Sequence, residues 1–118
     1  MKVSVVMAGR NSNPALLKEA IDSILNQTFQ DFEFVFVDDG SDKPMEPVVR
    51  SLSFDHRIAV YRIGHSGLGA ALNHGIAHSE GEYIARIDDD DLMLPSRLEK
   101  QVRFLDIHPE VSCVGSWL

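Results

Sequence analysis

Apolar residues along this chain fall into two alternating patterns, short near-continuous runs and a helical spacing. Val3 to Met7 is a run of the first kind, as expected for a strand covered on both faces. Asn13-Pro14 predicts a helix start, with Asn as cap and Pro at the first helical position. Leu16, Leu17, Ala20, Ile21, Ile24 and Leu25 then recur at helical spacing. Phe32 to Val37 predicts a second strand, Pro47 to Leu52 a short helix and Ile58 to Ile63 a third strand. After the glycine-rich turn Gly64 to Gly69 comes a helix expected to point Leu68, Ala71, Leu72 and Ile76 inward. Tyr83 to Ile87 predicts a fourth strand. Pro95 opens a helix with Leu98, Val102 and Leu105 inward, and Val111 to Val114 suggests a fifth strand.

Strands alternating with helices imply parallel β-α-β units in an open α/β sheet. Such sheets bind ligands at the carboxyl ends of their strands. Four strand ends carry polar or glycine-rich sequence: Ala8 to Asn11, Asp38-Asp39, His65 to Gly69, and Asp88 to Asp91. All should lie on one edge, and that agreement says more than any single motif.

Asp88-Asp89-Asp90-Asp91 is the densest chemical feature. Adjacent carboxylates repel, so each must stay solvated or find a cation. Mg²⁺ or Mn²⁺ takes such oxygen ligands and often shares them with substrate phosphates. An acidic turn capping the following helix is the structural alternative. Asp38-Asp39-Gly40-Ser41 reads as a tight turn, and a carboxylate there can also accept a ligand N–H. Gly67-Leu68-Gly69 is weak as a dinucleotide fingerprint, because Leu72 stands where its last glycine belongs. Glycines opening a helix do, however, let exposed N–H groups approach a phosphate. His74 and His78 have a spacing that can bind zinc, but without a third ligand they read as helix-surface histidines. His65 is the better ligand contact.

Length and charge narrow the class. The chain has 118 residues, enough for one domain with a modest core, and a formal net charge of -7. The acidic balance argues against nucleic acid or an anionic membrane as main partner. One cysteine, Cys113, sits in an apolar run, so it is expected to be buried and to indicate a reducing compartment. No apolar run is long enough to span a bilayer. The chain is read as cytoplasmic; peripheral contact with the inner face of a membrane in a longer enzyme is compatible with this.

In order, the chain carries Val3-Ser4-Val5-Val6-Met7, Leu25-Asn26-Gln27-Thr28-Phe29-Gln30-Asp31-Phe32-Glu33, and Val37-Asp38-Asp39-Gly40-Ser41. Gly67-Leu68-Gly69-Ala70-Ala71-Leu72-Asn73-His74-Gly75, Gly81-Glu82-Tyr83-Ile84-Ala85 and Asp88-Asp89-Asp90-Asp91-Leu92 follow. Over essentially its whole length this resembles the N-terminal half of inverting family 2 glycosyltransferases of the GT-A fold. The resemblance implies a Rossmann-like, mostly parallel sheet binding a nucleotide-sugar donor, typically a uridine diphosphate sugar, with Mg²⁺ or Mn²⁺. It places Ala8, Arg10 and Asp39 at the base, Gly67 in the donor site, Asp88 and Asp89 near the ribose, and Asp90 on the metal with Asp88 supporting. It further implies cell-surface polysaccharide synthesis and a saccharide, lipid or protein acceptor that the chain does not specify.

Two departures stand out. Arg10 replaces an aromatic beside the base, and Leu72 replaces an arginine of the helix after the glycine turn. In the family the carboxylate that deprotonates the acceptor follows the Asp-x-Asp element, so it is expected beyond Leu118, and residues 1–118 are expected to bind donor only. A nucleotidyltransferase, or a binding module that uses a cation without turnover, remains the alternative.

Overall fold

The computed structural model describes residues 1–115. β1 (Val3–Gly9), α1 (Pro14–Leu25), β2 (Phe32–Asp39), α2 (Glu46–Leu52), β3 (Ile58–Ile63), α3 (Leu68–Ala77), β4 (Tyr83–Arg86) and α4 (Arg97–Ile107) follow one another. The strands form one parallel sheet in the order β3-β2-β1-β4. The chain steps outward from β1 through β2 to β3, then crosses back to lay β4 on the other side of β1. Order reverses there, and a crevice opens at the carboxyl ends of the strands.

Side-chain alternation assigns the two faces. Val3, Val5 and Met7 of β1 and Phe32, Phe34 and Phe36 of β2 pack against Leu17, Ala20, Ile21 and Ile24 of α1, Val49 of α2, and Leu98 and Val102 of α4. Val6, Ala8, Val35 and Val37 point the other way, onto Ala71 of α3. α1 begins as its sequence dictates: the Asn13 side chain accepts from the Ala15 and Leu16 amides, with Pro14 behind it.

The expected inner face of α3 is corrected. Leu68 and Ile76 are exposed, while Ala71 and Gly75 face the sheet. A Cβ on Gly75 would lie 2.7 Å from Val6 Cγ1 and 3.0 Å from Val37 Cγ2. The helix sits so close to the sheet that only its small residues fit beneath it, and the large ones splay outward. Three further expectations change. α4 starts at Arg97 rather than Pro95, whose carbonyl instead accepts the Thr28 amide at 2.8 Å. Val111 to Val114 forms no strand, because it runs beside the β4–α4 groove without joining a ladder. Cys113 in that stretch is exposed.

Candidate functional site

The ends of β1, β2 and β3 enter the crevice through loops whose backbone is fixed by short polar side chains. After β1, Asn11 adopts a left-handed conformation, φ 52°, which Asn tolerates better than most residues. It ties its loop to the next one. Its amide donates to Ser41 Oγ at 2.9 Å, and its Oδ1 accepts the Asp42 amide at 2.9 Å. Arg10 beside it is partly exposed and, among the described residues, held only by a long contact, 3.9 Å, to Asp42.

The two aspartates ending β2 have different tasks. Asp38 is buried; its Oδ1 accepts the Ser41 amide, and its Oδ2 accepts the Met45 amide and Arg62 Nη1 at 2.8 and 2.9 Å. Burial alone would push its carboxyl up. The Ser41 hydroxyl, the two amides and the Arg62 charge outweigh burial and hold it below the ordinary carboxylate range. Asp39 faces the crevice and organises the turn after β3. Its Oδ1 accepts the Ser66 amide at 2.8 Å; its Oδ2 accepts the Gly67 amide and contacts His65 Nδ1, each at 3.1 Å. The Ser66 amide is the main reason its carboxyl is also lowered, with Gly67 and His65 adding to it against burial. Gly40, φ 65°, lets the turn close on His65, since a Cβ there would meet the His65 backbone.

Gly67, φ 97°, opens α3. Its amide is committed to Asp39, which leaves the amides of Leu68, Gly69 and Ala70 as the donors of the first helical turn. Beyond β4 the acidic run folds into a turn in which the Asp91 amide donates to the Asp88 carbonyl at 3.2 Å. The aspartates do not cap α4, which begins only at Arg97. Asp89 Oδ2 accepts Ser12 Oγ at 2.5 Å. Asp88 is half-exposed and lies 3.5 Å from Arg86, and Asp90 is exposed.

A cleft of about 300 Å³ joins these pieces. Ala8, Arg10, Asp39, Gly67 and Asp89, all expected from the sequence, line it together with Gly9, His65 and Leu68. Asp88 and Asp90 stand outside its wall, on the turn that continues from Asp89. A larger hollow, about 410 Å³, lies between β4 and α4 and includes none of the expected site residues. The crevice at the reversal of strand order is therefore the chemically equipped one. His74 and His78 lie elsewhere, their rings 4.4 Å apart in a stack with Tyr61.

The family model for glycosyl transferase family 2 matches residues 4–118. The chain belongs to that family. It is 39% identical over 119 residues to an uncharacterized glycosyltransferase of Methanocaldococcus jannaschii, covering 98% of this chain and 41% of that one. Among solved structures, TarS of S. aureus (residues 1–349, in complex with UDP-GlcNAc) superposes with TM-score 0.83 at 29% identity. That match covers 92% of this chain and 32% of the 1–349 TarS chain. The mannosyltransferase PcManGT of Pyrobaculum calidifontis, in complex with GDP-Man and Mn²⁺, gives TM-score 0.81 at 28% identity, covering 98% of this chain and 36% of that one. This family 2 chain thus spans about two fifths of its relative's length and about a third of each solved structure's. The four-stranded parallel sheet flanked by helices is the GT-A arrangement expected from the sequence.

Sequence reasoning overlooked three positions. Ser12, which holds Asp89, lies in loop sequence without a signal of its own. Asp38 read as a turn residue and a polar group of a strand end, not as the buried anchor of the β2 turn. Gln27, within a stretch that marks the family, is buried against the segment leading from the acidic turn into α4. Among the described residues, no helix is long and apolar enough to cross a membrane.

Proposed function

We propose that residues 1–118 form the N-terminal, donor-binding part of an inverting glycosyltransferase, and that the cleft takes a nucleoside diphosphate sugar with uracil as its base. The observation that carries this reading is the convergence of Ala8, Arg10, Asp39, Gly67 and Asp89, from four strand ends, on one cleft. Complexes of the similar structures with UDP-GlcNAc and with GDP-Man and Mn²⁺ support a nucleotide-sugar ligand.

The residues suit distinct parts of such a donor. Asp39 Oδ1 accepts one internal hydrogen bond, so it has a lone pair left for the imide N–H of a base. Ala8 leaves the wall flat, and Arg10, loosely held, is placed to lie over the base or reach the diphosphate. The free amides at the start of α3 face the anionic end of the ligand. Asp88 and Asp89 stand near the ribose.

The acidic turn fits a hard cation. Among the described residues, no three His, Cys, Asp or Glu side chains form a ready-made metal cage. Separately presented carboxylates suit Mg²⁺ or Mn²⁺, which complete their shell with water and diphosphate oxygens. Asp90, exposed and with no side-chain hydrogen bond among the described residues, would hold the cation, with Asp88 supporting. When bound, the cation stabilises the negative charge of the departing diphosphate.

We place the carboxylate that deprotonates the acceptor hydroxyl, and the acceptor site itself, outside residues 1–118. Direct displacement inverts the anomeric centre. Cell-surface polysaccharide assembly on the inner side of a membrane is the setting we assign.

Calorimetric titration of the chain with UDP and, for comparison, GDP in the presence of Mn²⁺ tests this reading. Binding of UDP at least tenfold tighter than GDP is expected. Binding of neither nucleotide would contradict the donor assignment, and preference for GDP would contradict the base assignment.

A further inference from the structure

We propose that Gln27 is a positioning residue that sets the acidic turn from the far end of α1; this rests on the donor reading above. The segment from Leu92 to Ser96 joins the acidic turn to α4 and has no regular structure, so its backbone groups need partners outside a helix or ladder. The end of α1 supplies them. Gln27 is 2% exposed. Its Nε2 donates one hydrogen to the Leu94 carbonyl at 2.7 Å and shares the other between the Ser23 carbonyl at 3.1 Å and the Met93 carbonyl at 3.3 Å, and its Oε1 accepts the Leu98 amide at 3.1 Å. Ser23 Oγ accepts the Met93 amide at 3.0 Å. Both edges of the segment are thus fixed to one helix end by one amide group and one hydroxyl.

The other end of α1 also bears on the turn, because Ser12, just before the helix, holds Asp89. The turn from Asp88 to Asp91 is therefore suspended between two anchors on one rigid element. Asp90 has no side-chain bond of its own among the described residues, so its place depends on the backbone carrying it. Among the described residues Gln27 is not part of the cleft lining and makes no hydrogen bond to an aspartate, and it acts through Met93 and Leu94. Only a carboxamide serves here. A carboxylate accepts but cannot donate, and methionine fills the space with neither function.

The test uses the 118-residue chain with Gln27→Glu, Gln27→Met and the milder Ser23→Ala. Each variant is checked for melting, amide hydrogen exchange without ligand, and UDP affinity with Mn²⁺ and with chelator. We expect faster exchange confined to residues 88–98. We also expect about tenfold weaker UDP binding with Mn²⁺ and little change with chelator, with Ser23→Ala showing the same split more weakly. Unchanged exchange at 88–98, or equal losses with and without metal, would overturn the proposal. If exchange rises there while the unmodified chain shows no metal-dependent UDP binding, the positioning of the turn stands and the donor reading fails instead.

Discussion

Ser12 Oγ donates to Asp89 Oδ2 at 2.5 Å across 77 residues of sequence, tying the loop after β1 to the acidic turn after β4. Gly9 makes the approach possible. A Cβ at that position would collide with Ser12 Oγ and lie 3.0 Å from Phe36 Cζ and 3.2 Å from Asp89 Oδ2. The centre of the crevice is thus built on a missing side chain.

Gly9→Ala therefore disturbs Ser12, Asp89 and Phe36 together. Overpacking of this kind costs about 1–3 kcal/mol. The urea midpoint should fall accordingly, and UDP affinity should fall with it. An alanine variant as stable as the original chain would show that the crevice relaxes freely.

Asp38 holds the β2 turn through the Ser41 and Met45 amides and Arg62. Asp38→Asn would aim an N–H at the Met45 amide and leave Arg62 without its anionic partner, at a cost of about 3 kcal/mol. The pH dependence carries the same signature. Asp38 and Asp39 both have folded pKa values lowered from 3.8, so their contribution is present above that value. It is lost as pH falls through the lower folded values. Denaturation curves should show stability dropping below about pH 4, and less steeply in Asp38→Asn. Equal acid sensitivity in the two proteins would remove Asp38 from that role.

α3 rests on the sheet through Ala71 and Gly75. Alanine favours a helix over glycine by about 1 kcal/mol. At Gly75 the close approach of Val6 and Val37 should reverse that sign, giving net destabilisation in thermal melts. A stabilised Gly75→Ala would mean that the helix lifts off without penalty.

The buried strands were legible because continuous apolar runs bounded by turn residues have few alternative readings. Val3 to Met7 and Phe32 to Val37 fall within β1 and β2, and the Asn13-Pro14 start is the observed start of α1. The polar strand ends followed from topology, which is why five expected residues line one cleft. The inner face of α3 was misjudged because hydrophobicity favours Leu68 and Ile76, whereas close packing favours the residue with no side chain. The Ala71-Gly75 spacing, one helical turn apart, was the available signal. Val111 to Val114 failed as a strand because an apolar run says nothing of whether a ladder partner lies beside it. Gln27 and Ser12 act through contacts more than 65 residues away in sequence, and local pattern carries no trace of such contacts.

The central claim is a cation-dependent nucleotide site at the acidic turn. Calorimetric titration of the chain and of Asp90→Ala with UDP, each with Mn²⁺ and then with chelator, tests it most directly. Mn²⁺-dependent binding is expected in the original chain. In Asp90→Ala that dependence should be lost while melting is unchanged, because Asp90 is exposed and makes no side-chain hydrogen bond among the described residues. Undiminished Mn²⁺-dependent affinity in Asp90→Ala would contradict it.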